Sequence, residues 1–230
     1  MTAAICSMQR YEMKYVASKA QTDFLKSRTA DYVKPDEYGL TSIASLYFDT
    51  PDKRLIRASI EKPAFKEKIR LRSYGLASEN STVYLELKRK ALGTVYKRRV
   101  PTTVKEAENF FGYKKDSCGE GQISKEITFF RDNYKTLVPS CLIVYDRTAY
   151  SDSGGVRLTI DEKPRYRVKD LDLTSSLCGK PLLEDGYTII EIKVAGAMPI
   201  WLASTLSEGK IYKTCFSKYG EAYKKENGYV

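Results

Sequence analysis

The sequence contains no histidine, and this absence removes several kinds of catalytic site at once. A chain without imidazole has no Ser-His triad, no histidine general base and no histidine-ligated zinc. Its five cysteines are scattered and include no C-x-x-C pair, which excludes a zinc knuckle and is not typical of a disulfide framework. We therefore expect reduced thiols in a cytoplasmic protein. The cysteines are Cys6, Cys118, Cys141, Cys178 and Cys215.

Long apolar runs and nucleotide-binding glycine motifs are also missing. No apolar run reaches the ~18 residues that a membrane-spanning helix needs, and residues 1–9 are too short and too weakly apolar for a signal peptide. The chain has no G-x-x-x-x-G-K-[ST] and no G-x-G-x-x-G, so neither a P-loop nor a dinucleotide fold is expected. No repeat or linker divides its 230 residues, of which 42% are hydrophobic. We predict one domain, residues 1–230, with no membrane segment.

Charge is abundant, and it is mostly positive. The formal net charge of +10 favours an anionic partner, which could be nucleic acid, a membrane surface or a polyanionic small substrate. A basic surface that only keeps the protein in solution is the alternative. The 18 tyrosines would suit base stacking, yet eight of them fall in predicted strands, where core packing is the commoner use. Nucleic acid is therefore not the expected partner.

Residues 65–72 alternate charged and apolar side chains. Lys66, Lys68, Arg70 and Arg72 fall on one side of an extended strand and apolar residues fall mostly on the other, with Glu67 out of step. An ordinary half-buried strand shows the same pattern. Here the pattern recurs, so that several strands carry one charged face. The other segments with this pattern are 10–14, 84–90, 157–161 and 191–193.

Eight strands are predicted, mostly joined as hairpins, with helices between and after them. The predicted strands are 9–16, 41–48, 64–73, 81–90, 94–100, 141–150, 156–161 and 187–195. The predicted helices are 19–29, a short helix through residues 55 and 56, 103–111, 124–137, 199–206 and 217–226. Ser18 and Ser217 are the expected N-caps of the first and last helix. Residues 91–93 are predicted to form a tight hairpin connection, and residues 162–185 to be irregular.

This order predicts an α+β, mainly β fold: an eight-stranded antiparallel β-barrel closed into a tunnel, with the helices packed outside. If the charged faces point inward, the lumen receives cations and the apolar faces meet the helices. The expected lumen cations are Lys14, Lys68, Arg70, Arg72, Lys88, Arg147, Arg157, Lys193 and one of Lys97, Arg98 and Arg99. The residues expected to face the helices are Ile69, Leu71, Leu85, Leu87, Leu158, Ile190 and Ile192.

The positive charge of such a lumen indicates which class of ligand it would bind. Burying many cations without counter-charge costs more than a fold can supply, and Glu12, Glu86, Asp161 and Glu191 offset only part of the charge. The tunnel therefore requires either water and ions or an extended polyanion. A chain of phosphates fits, because it carries roughly one charge per phosphate and offers oxygens that arginine can bind with two parallel hydrogen bonds.

The carboxylates also suggest a metal. Hard oxygen ligands beside phosphates favour Mg²⁺ or Mn²⁺ over zinc, and the candidate ligands are Glu191, Glu86 and Glu12. Glu191 is the first choice because it lies mid-strand, two residues before Lys193. Taken singly, each carboxylate is more often a salt-bridge partner than a metal ligand. Lys218, at the start of the last helix, could reach the mouth of the tunnel or lie in solvent.

An ordered set of short motifs covers nearly the whole chain. The motifs are RYEMKY at 10–15, SLYFDT at 45–50, KIRLR at 68–72, ELK at 86–88, YDRTAY at 145–150, RLTID at 157–161, IEIK at 190–193 and SKY at 217–219. The set resembles VTC domains, the polyphosphate polymerase domains of the triphosphate tunnel metalloenzyme (CYTH-like) superfamily. Each motif alone is weak, but their order along the chain is specific.

The resemblance implies an eight-stranded tunnel and a metal-dependent phosphotransferase. Such an enzyme transfers the γ-phosphate of ATP onto a growing inorganic polyphosphate chain, with Mn²⁺ or Mg²⁺ as cofactor. The resemblance also implies that Glu191 binds the metal and that Arg98 or Arg99 is one of the phosphate-binding residues. The catalytic, phosphate-binding set that it implies is Lys14, Arg70, Arg72, Lys88, Arg147, Arg157 and Lys218.

One departure from the superfamily bears on the reaction. The N-terminal Glu-x-Glu-x-Lys of the superfamily stands here as Arg10-x-Glu12-x-Lys14, which weakens the case for a two-metal hydrolase and suits the polymerase branch. Two alternatives stay open. One is a hydrolase of triphosphate or polyphosphate on the same tunnel, and the other is a non-catalytic barrel that binds polyphosphate or nucleic acid. The sequence does not indicate a partner protein.

Overall fold

The computed structural model describes residues 10–61, 63–92 and 94–229, apart from the side chain of Arg10. In this part of the chain it contains eleven strands and six α-helices. The strands are β1 (Arg10–Ser18), β2 (Lys34–Pro35), β3 (Thr41–Asp49), β4 (Phe65–Tyr74), β5 (Thr82–Ala91), β6 (Thr94–Thr103), β7 (Val138–Ser151), β8 (Arg157–Arg167), β9 (Lys180–Pro181), β10 (Tyr187–Ala195) and β11 (Lys213–Thr214). The helices are α1 (Lys19–Thr29), α2 (Arg54–Ile60), α3 (Val104–Phe111), α4 (Gly121–Tyr134), α5 (Ile200–Glu208) and α6 (Lys218–Glu226).

The eight predicted strands correspond to β1, β3, β4, β5, β6, β7, β8 and β10, and every predicted helix is present. The prediction of an irregular segment from residue 162 is wrong in its first part, because β8 continues to Arg167. Arg165 and Tyr166 pair there with the two-residue strand β9, a partner distant in sequence that local pattern does not reveal. Gln9, Gly93 and Cys6 lie outside the described residues.

The predicted helix caps are confirmed. Ser18 forms a capping box with Gln21 at the start of α1, so that two backbone N–H groups gain side-chain partners. Ser217 accepts a hydrogen bond from the N–H of Gly220 at the start of α6. In both helices a serine with extended backbone conformation stops the preceding segment and begins the helix.

The chain folds into two compact units, each built from segments that are distant in sequence. Unit 1 comprises Met1–Thr41, Asp146–Pro164 and Leu183–Phe216. Its strand order is β11-β1-β10-β8-β7, with β2 paired to β7, and β1, β10 and β8 pair antiparallel. The core of unit 1 joins α1 and α5 to one face of the strands, and it buries Leu158, Ile190 and Ile192 as predicted.

Unit 2 comprises Ser42–Tyr145, Arg165–Leu182 and Ser217–Val230. Its strand order is β7-β3-β4-β5-β6, and β9 pairs with the end of β8. Its core packs α3 and α4, through Phe110, Ile127 and Phe130, onto one face of the strands. The same core buries the residues that were predicted to face the helices, Ile69, Leu71, Leu85 and Leu87.

Glu67, the residue out of step in β4, lies on the helix-covered face. It is 8% exposed and forms an ion pair with Arg89, the residue opposite it in β5. The hydroxyl of Tyr134 on α4 donates to it at 3.0 Å. Burial, followed by the charge of Glu67, raises the pKa of Tyr134 to about 12. The exception to the alternation is therefore a satisfied buried ion pair.

The antiparallel sheet is shown, whereas its closure into a barrel remains a prediction. Within the described residues, β11 and β6 each have a neighbouring strand on one side only. The single-domain assignment of residues 1–230 also remains a prediction. No helix in this part of the chain is both long and apolar enough to cross a membrane. Cys118, Cys141, Cys178 and Cys215 are free thiols, as predicted.

Candidate phosphate-binding site

In unit 2, strand alternation and register place basic side chains of β4, β5 and β6 on the face opposite α3 and α4. The antiparallel register aligns these side chains in rows that run across the strands. One row consists of Lys68, Lys88 and Lys97, and the next consists of Tyr47, Arg70, Glu86 and Arg99. We call this surface the cationic face. Strands β4, β5 and β6 contribute five of the predicted phosphate-binding residues to it, namely Lys68, Arg70, Arg72, Lys88 and Arg99.

Glu86 is the carboxylate at the centre of the cationic face. Its side chain is 2% exposed and forms ion pairs with Arg70 at 2.7 Å, Lys97 at 2.8 Å, Arg99 at 3.6 Å and Arg72 at 3.9 Å. Burial alone would raise the pKa of the Glu86 carboxyl, but Arg70, Arg72 and Lys97 lower it to about 2. Because four cations share one carboxylate, the cluster has an excess of positive charge that a bound anion would offset.

Two tyrosine hydroxyls orient the guanidinium groups of this cluster. Arg70 donates through Nη1 to the hydroxyl of Tyr47 at 2.8 Å, and Arg72 donates through Nη2 to the hydroxyl of Tyr145 at 3.2 Å. Burial would raise the pKa of Tyr47, yet the neighbouring guanidinium groups lower it. A phenol with a lowered pKa at a buried position reflects the positive potential of this face.

The adjacent cations of β6 lie on opposite faces of the strand. Lys97 and Arg99 pair with Glu86, whereas Nε of Arg98 donates to Glu126 of α4 at 2.7 Å. The sequence left open which of these residues joins the phosphate-binding set. The structure places Lys97 and Arg99 on the cationic face and Arg98 on the helix-covered side.

The N-terminus of α6 brings Lys218 to the cationic face. Nζ of Lys68 donates to the hydroxyl of the N-cap residue Ser217 at 3.0 Å. Nζ of Lys218 lies 4.5 Å from the ring centroid of Tyr145, a cation–π distance, and this is the tyrosine whose hydroxyl holds Arg72. Lys218 is therefore part of the cationic face and not a side chain in open solvent.

In unit 1, lysines and carboxylates alternate across β1 and β10. The register pairs Glu12 with Lys193 and Lys14 with Glu191. Nζ of Lys14 lies 3.5 Å from Oε1 of Glu191 and 3.7 Å from Oε1 of Glu12, and Nζ of Lys193 lies 3.9 Å from Oε2 of Glu12. Lys14 therefore joins the two carboxylates that the sequence proposed as metal ligands in this unit.

The predicted arginines of unit 1 have different surroundings. Arg147 binds the buried carboxylate of Asp161 through two parallel hydrogen bonds, Nε to Oδ1 at 2.6 Å and Nη2 to Oδ2 at 2.8 Å. Its Nη2 is also 3.6 Å from Oε2 of Glu191. Arg157 has a side chain that is 59% exposed and pairs with Asp36 at 3.8 Å. Arg147 is thus oriented beside Glu191, whereas Arg157 extends toward Asp36.

The acidic residues fit a metal that takes most of its ligands from substrate and water. Within the described residues, no group of three or more His, Cys, Asp or Glu side chains could hold an ion by itself. Magnesium commonly uses one or two carboxylates together with phosphate oxygens and water. Glu12 and Glu191 could supply these carboxylates. Glu86 differs, because its four cationic partners make it a counter-ion.

Sequence reasoning missed the uncharged residues that orient the cations. Ser45 accepts from Nε of Arg72 at 3.3 Å, Tyr47 accepts from Arg70, and the ring of Tyr84 lies 3.5 Å beneath the guanidinium of Arg99. The available signal was their period-two spacing within predicted strands. It was insufficient, because only the register between strands determines which cation each residue meets.

Comparison with family models identifies the family. The model of the VTC domain matches residues 9–227 of this chain. The chain belongs to the VTC domain family. The resemblance found in the sequence is thereby confirmed, and the VTC domain is part of the triphosphate tunnel metalloenzyme superfamily. These are phosphate-handling enzymes that generally depend on a divalent metal.

Two solved structures show the same fold at low sequence identity. A candidate adenylate cyclase from Bacillus halodurans is 16% identical with a TM-score of 0.55, and the match covers 90% of this chain and 92% of that one. A candidate adenylyl cyclase from Hippeastrum, described as having a dominant triphosphatase activity, is 17% identical with a TM-score of 0.56, covering 96% and 97%. These likenesses show the fold alone. No curated protein matches this VTC domain in sequence.

Proposed function

We propose that this VTC domain is a polyphosphate polymerase that transfers the γ-phosphate of ATP onto a growing inorganic polyphosphate chain. The observation that carries the proposal is the cluster of four cations that share the buried Glu86. The row of Lys68, Lys88 and Lys97 lies beside it on the same strands. Positive charge therefore continues along the strands, which suits an extended polyanion better than a single phosphate.

In this proposal the arginines of the cationic face bind phosphate oxygens in a fixed orientation. Arg70 and Arg72 are already held by Tyr47 and Tyr145, so they need little rearrangement when a phosphate binds. Donors that are oriented in advance stabilise charge that develops during phosphoryl transfer at low reorganisation cost. Lys218 adds a point charge on a flexible side chain to this set, as lysines commonly do at phosphate sites.

We propose matching roles for unit 1. Lys14, Arg147, Arg157 and Lys193 are its proposed phosphate-binding residues, and Glu191 and Glu12 are the proposed ligands of Mn²⁺ or Mg²⁺. When bound, the metal would supply positive charge that neutralises the negative charge developing during phosphoryl transfer. Glu86, which the sequence also offered as a ligand, is proposed instead as the counter-ion of the cationic face. Closure of the strands into a tunnel belongs to the same proposal.

The reaction requires no histidine. A terminal oxygen of the polyphosphate chain attacks the γ-phosphorus of ATP. The new P–O bond forms as the bond to the β–γ bridging oxygen breaks, and ADP leaves with the electron pair of that bond. The attacking phosphate is already largely ionised at neutral pH, so positioning and charge neutralisation suffice. This agrees with a chain that has no histidine.

The test is to incubate the purified protein with ATP and Mn²⁺ or Mg²⁺ and to separate the products by size. We expect ADP and a long, polydisperse polyphosphate. Glu191→Gln removes a proposed metal ligand and leaves the cationic face intact, so we expect it to slow turnover while ATP binding is retained.

Other products would change the assignment. If orthophosphate is the only product, with water as the acceptor under every condition tested, the hydrolase alternative replaces the polymerase. If the protein binds tripolyphosphate but consumes no ATP, it is a binding module.

A further inference from the structure

A buried series of hydrogen bonds, formed by residues that have no part in the proposed reaction, holds the start of α6. Tyr219, the second residue of the helix, is 3% exposed. Its hydroxyl donates to Oδ2 of Asp49 at 2.9 Å and lies 2.7 Å from the hydroxyl of Ser140. Nζ of Lys53 donates to the same Ser140 oxygen at 2.8 Å. If the Ser140 hydroxyl donates to Tyr219, both hydroxyls in this series donate one hydrogen bond and accept another.

Asp49 is a fixed anchor for this chain of hydrogen bonds. Its carboxylate is fully buried and accepts the backbone N–H groups of Thr50, Leu55 and Ile56 at 2.8 to 3.0 Å. The carboxylate thereby replaces a side-chain N-cap, which α2 lacks. Its negative charge is stabilised by the positive end of the helix dipole. Burial and the neighbouring carboxylate raise the pKa of Tyr219, so the phenol stays protonated and donates.

The anchored tyrosine stands directly beside the cationic face. Its ring stacks on Tyr47 with centroids 4.6 Å apart, and Tyr47 holds Arg70. The residue before it is Lys218, which lies over Tyr145, and the residue before that is Ser217, which binds Lys68. Three consecutive side chains at the start of α6 therefore each contact a different part of unit 2, and only the Tyr219 contact ends on a buried carboxylate.

We propose that Tyr219, hydrogen-bonded to Asp49, is a positioning residue that holds Lys218 in register with the phosphates bound on the cationic face. The proposal rests on the proposed function and names a residue for it that does not itself touch substrate. Lys218 has a long flexible side chain, so its ammonium group is only as well placed as the backbone that carries it. The Asp49–Tyr219 hydrogen bond fixes that backbone at the first turn of α6.

The test uses Tyr219→Phe, which removes the hydroxyl and keeps the ring that stacks on Tyr47. We expect the affinity for tripolyphosphate and kcat/KM for ATP to fall about tenfold, since misplacing a binding group by an ångström can cost up to about a hundredfold. In a Lys218→Ala background we expect Tyr219→Phe to have no further effect on either quantity. The two changes act through one group, so their effects are not additive.

The matched control is Tyr166→Phe. The hydroxyl of Tyr166 donates to Glu226 at 2.9 Å, so this change removes the same kind of hydrogen bond from the other end of the same helix. We expect a loss of thermal stability without a loss of affinity. Ser140→Ala is a second variant, which keeps the Asp49 contact and removes only the bridge to Lys53, and we expect a smaller loss of affinity than with Tyr219→Phe.

The outcomes separate this inference from the proposed function. A wild-type protein that neither binds tripolyphosphate nor consumes ATP overturns both. An active wild type together with a Tyr219→Phe variant of equal affinity and rate overturns the inference alone. So does an effect of Tyr219→Phe that is undiminished in the Lys218→Ala background, or one that Tyr166→Phe reproduces, because either would show that the hydroxyl only stabilises the fold.

Discussion

At the scale of single residues, Glu86 makes the stability of the protein depend on pH. The carboxylate is almost fully buried among four cations, and its pKa is about 2, against an ordinary value of 4.5. Between these values the unfolded chain binds a proton that the folded one does not, so stability is lost as the pH falls from about 4.5 to about 2. The shift corresponds to at most about 3 kcal/mol from this one group.

We predict that Glu86→Gln is less stable than wild type at pH 7. The variant should also lose less stability than wild type as the pH falls from about 4.5 to about 2, because it has no carboxylate to protonate at this position. Removing one partner of a buried ion pair costs about 3 to 5 kcal/mol, because the remaining charges are left uncompensated. Tripolyphosphate would restore more stability to the variant than to wild type. Urea unfolding between pH 2 and pH 7, with and without tripolyphosphate, measures both effects.

Glu208→Gln is the control for Glu86→Gln. Glu208 pairs with Arg28 at an exposed position, where an ion pair contributes at most about 1 kcal/mol. The two variants would behave alike if the environment of Glu86 had no special role, and that result contradicts the prediction.

At the scale of elements, the alternation of side chains in β6 places two neighbouring arginines on opposite faces of the strand. Arg99 lies on the cationic face with Glu86, and Arg98 lies on the helix-covered face with Glu126. We predict that Arg99→Ala weakens tripolyphosphate binding about tenfold, as expected for the loss of a charge-assisted hydrogen bond. Arg98→Ala, one residue away, is expected to leave the affinity within about twofold of wild type. Isothermal titration calorimetry of both variants measures the difference.

The same pair of variants distinguishes a defined face from general electrostatic attraction. Both substitutions remove one positive charge, so long-range attraction is weakened equally in the two. Equal losses of affinity would therefore mean that net charge, and not the face of β6, determines binding.

At the scale of the whole molecule, the net charge of +10 attracts any anion, whereas we expect the aligned rows of cations on the cationic face to favour a long one. A ligand that binds only the folded state stabilises it by about 2.7 kcal/mol at a hundredfold excess over Kd. For a chain of this size that is a rise in Tm of about 5 to 10 °C. We predict such a rise with tripolyphosphate, a much smaller one with orthophosphate or sulfate, and a decrease of each with added salt.

Thermal unfolding with the three anions at equal ionic strength is the measurement for this prediction. Equal stabilisation by tripolyphosphate, orthophosphate and sulfate would indicate general anion screening and would argue against a site for a phosphate chain. Matching the ionic strength is the necessary control, because tripolyphosphate contributes more charge per molecule than the other two.

Local sequence was sufficient to predict the main strands, the helices and the two faces of the strands. Alternation with a period of two assigns each side chain to a face whatever its partner, and for that reason Ile69 and Leu71 were correctly placed toward the helices. Helix caps are equally local, as Ser18 and Ser217 show. The order of the motifs was sufficient to identify the VTC family.

Which residues meet depends on the three-dimensional fold and could not be predicted. Three adjacent cations in β6 offered no local reason to prefer one of them, and the pairing of β6 with β5 placed Lys97 and Arg99 beside Glu86. The same holds for Tyr219 and Asp49, which are 170 positions apart. The face on which a side chain lies follows from the geometry of its own strand. Its partner follows from the register between distant segments, because a slip of one residue changes every cross-strand partner.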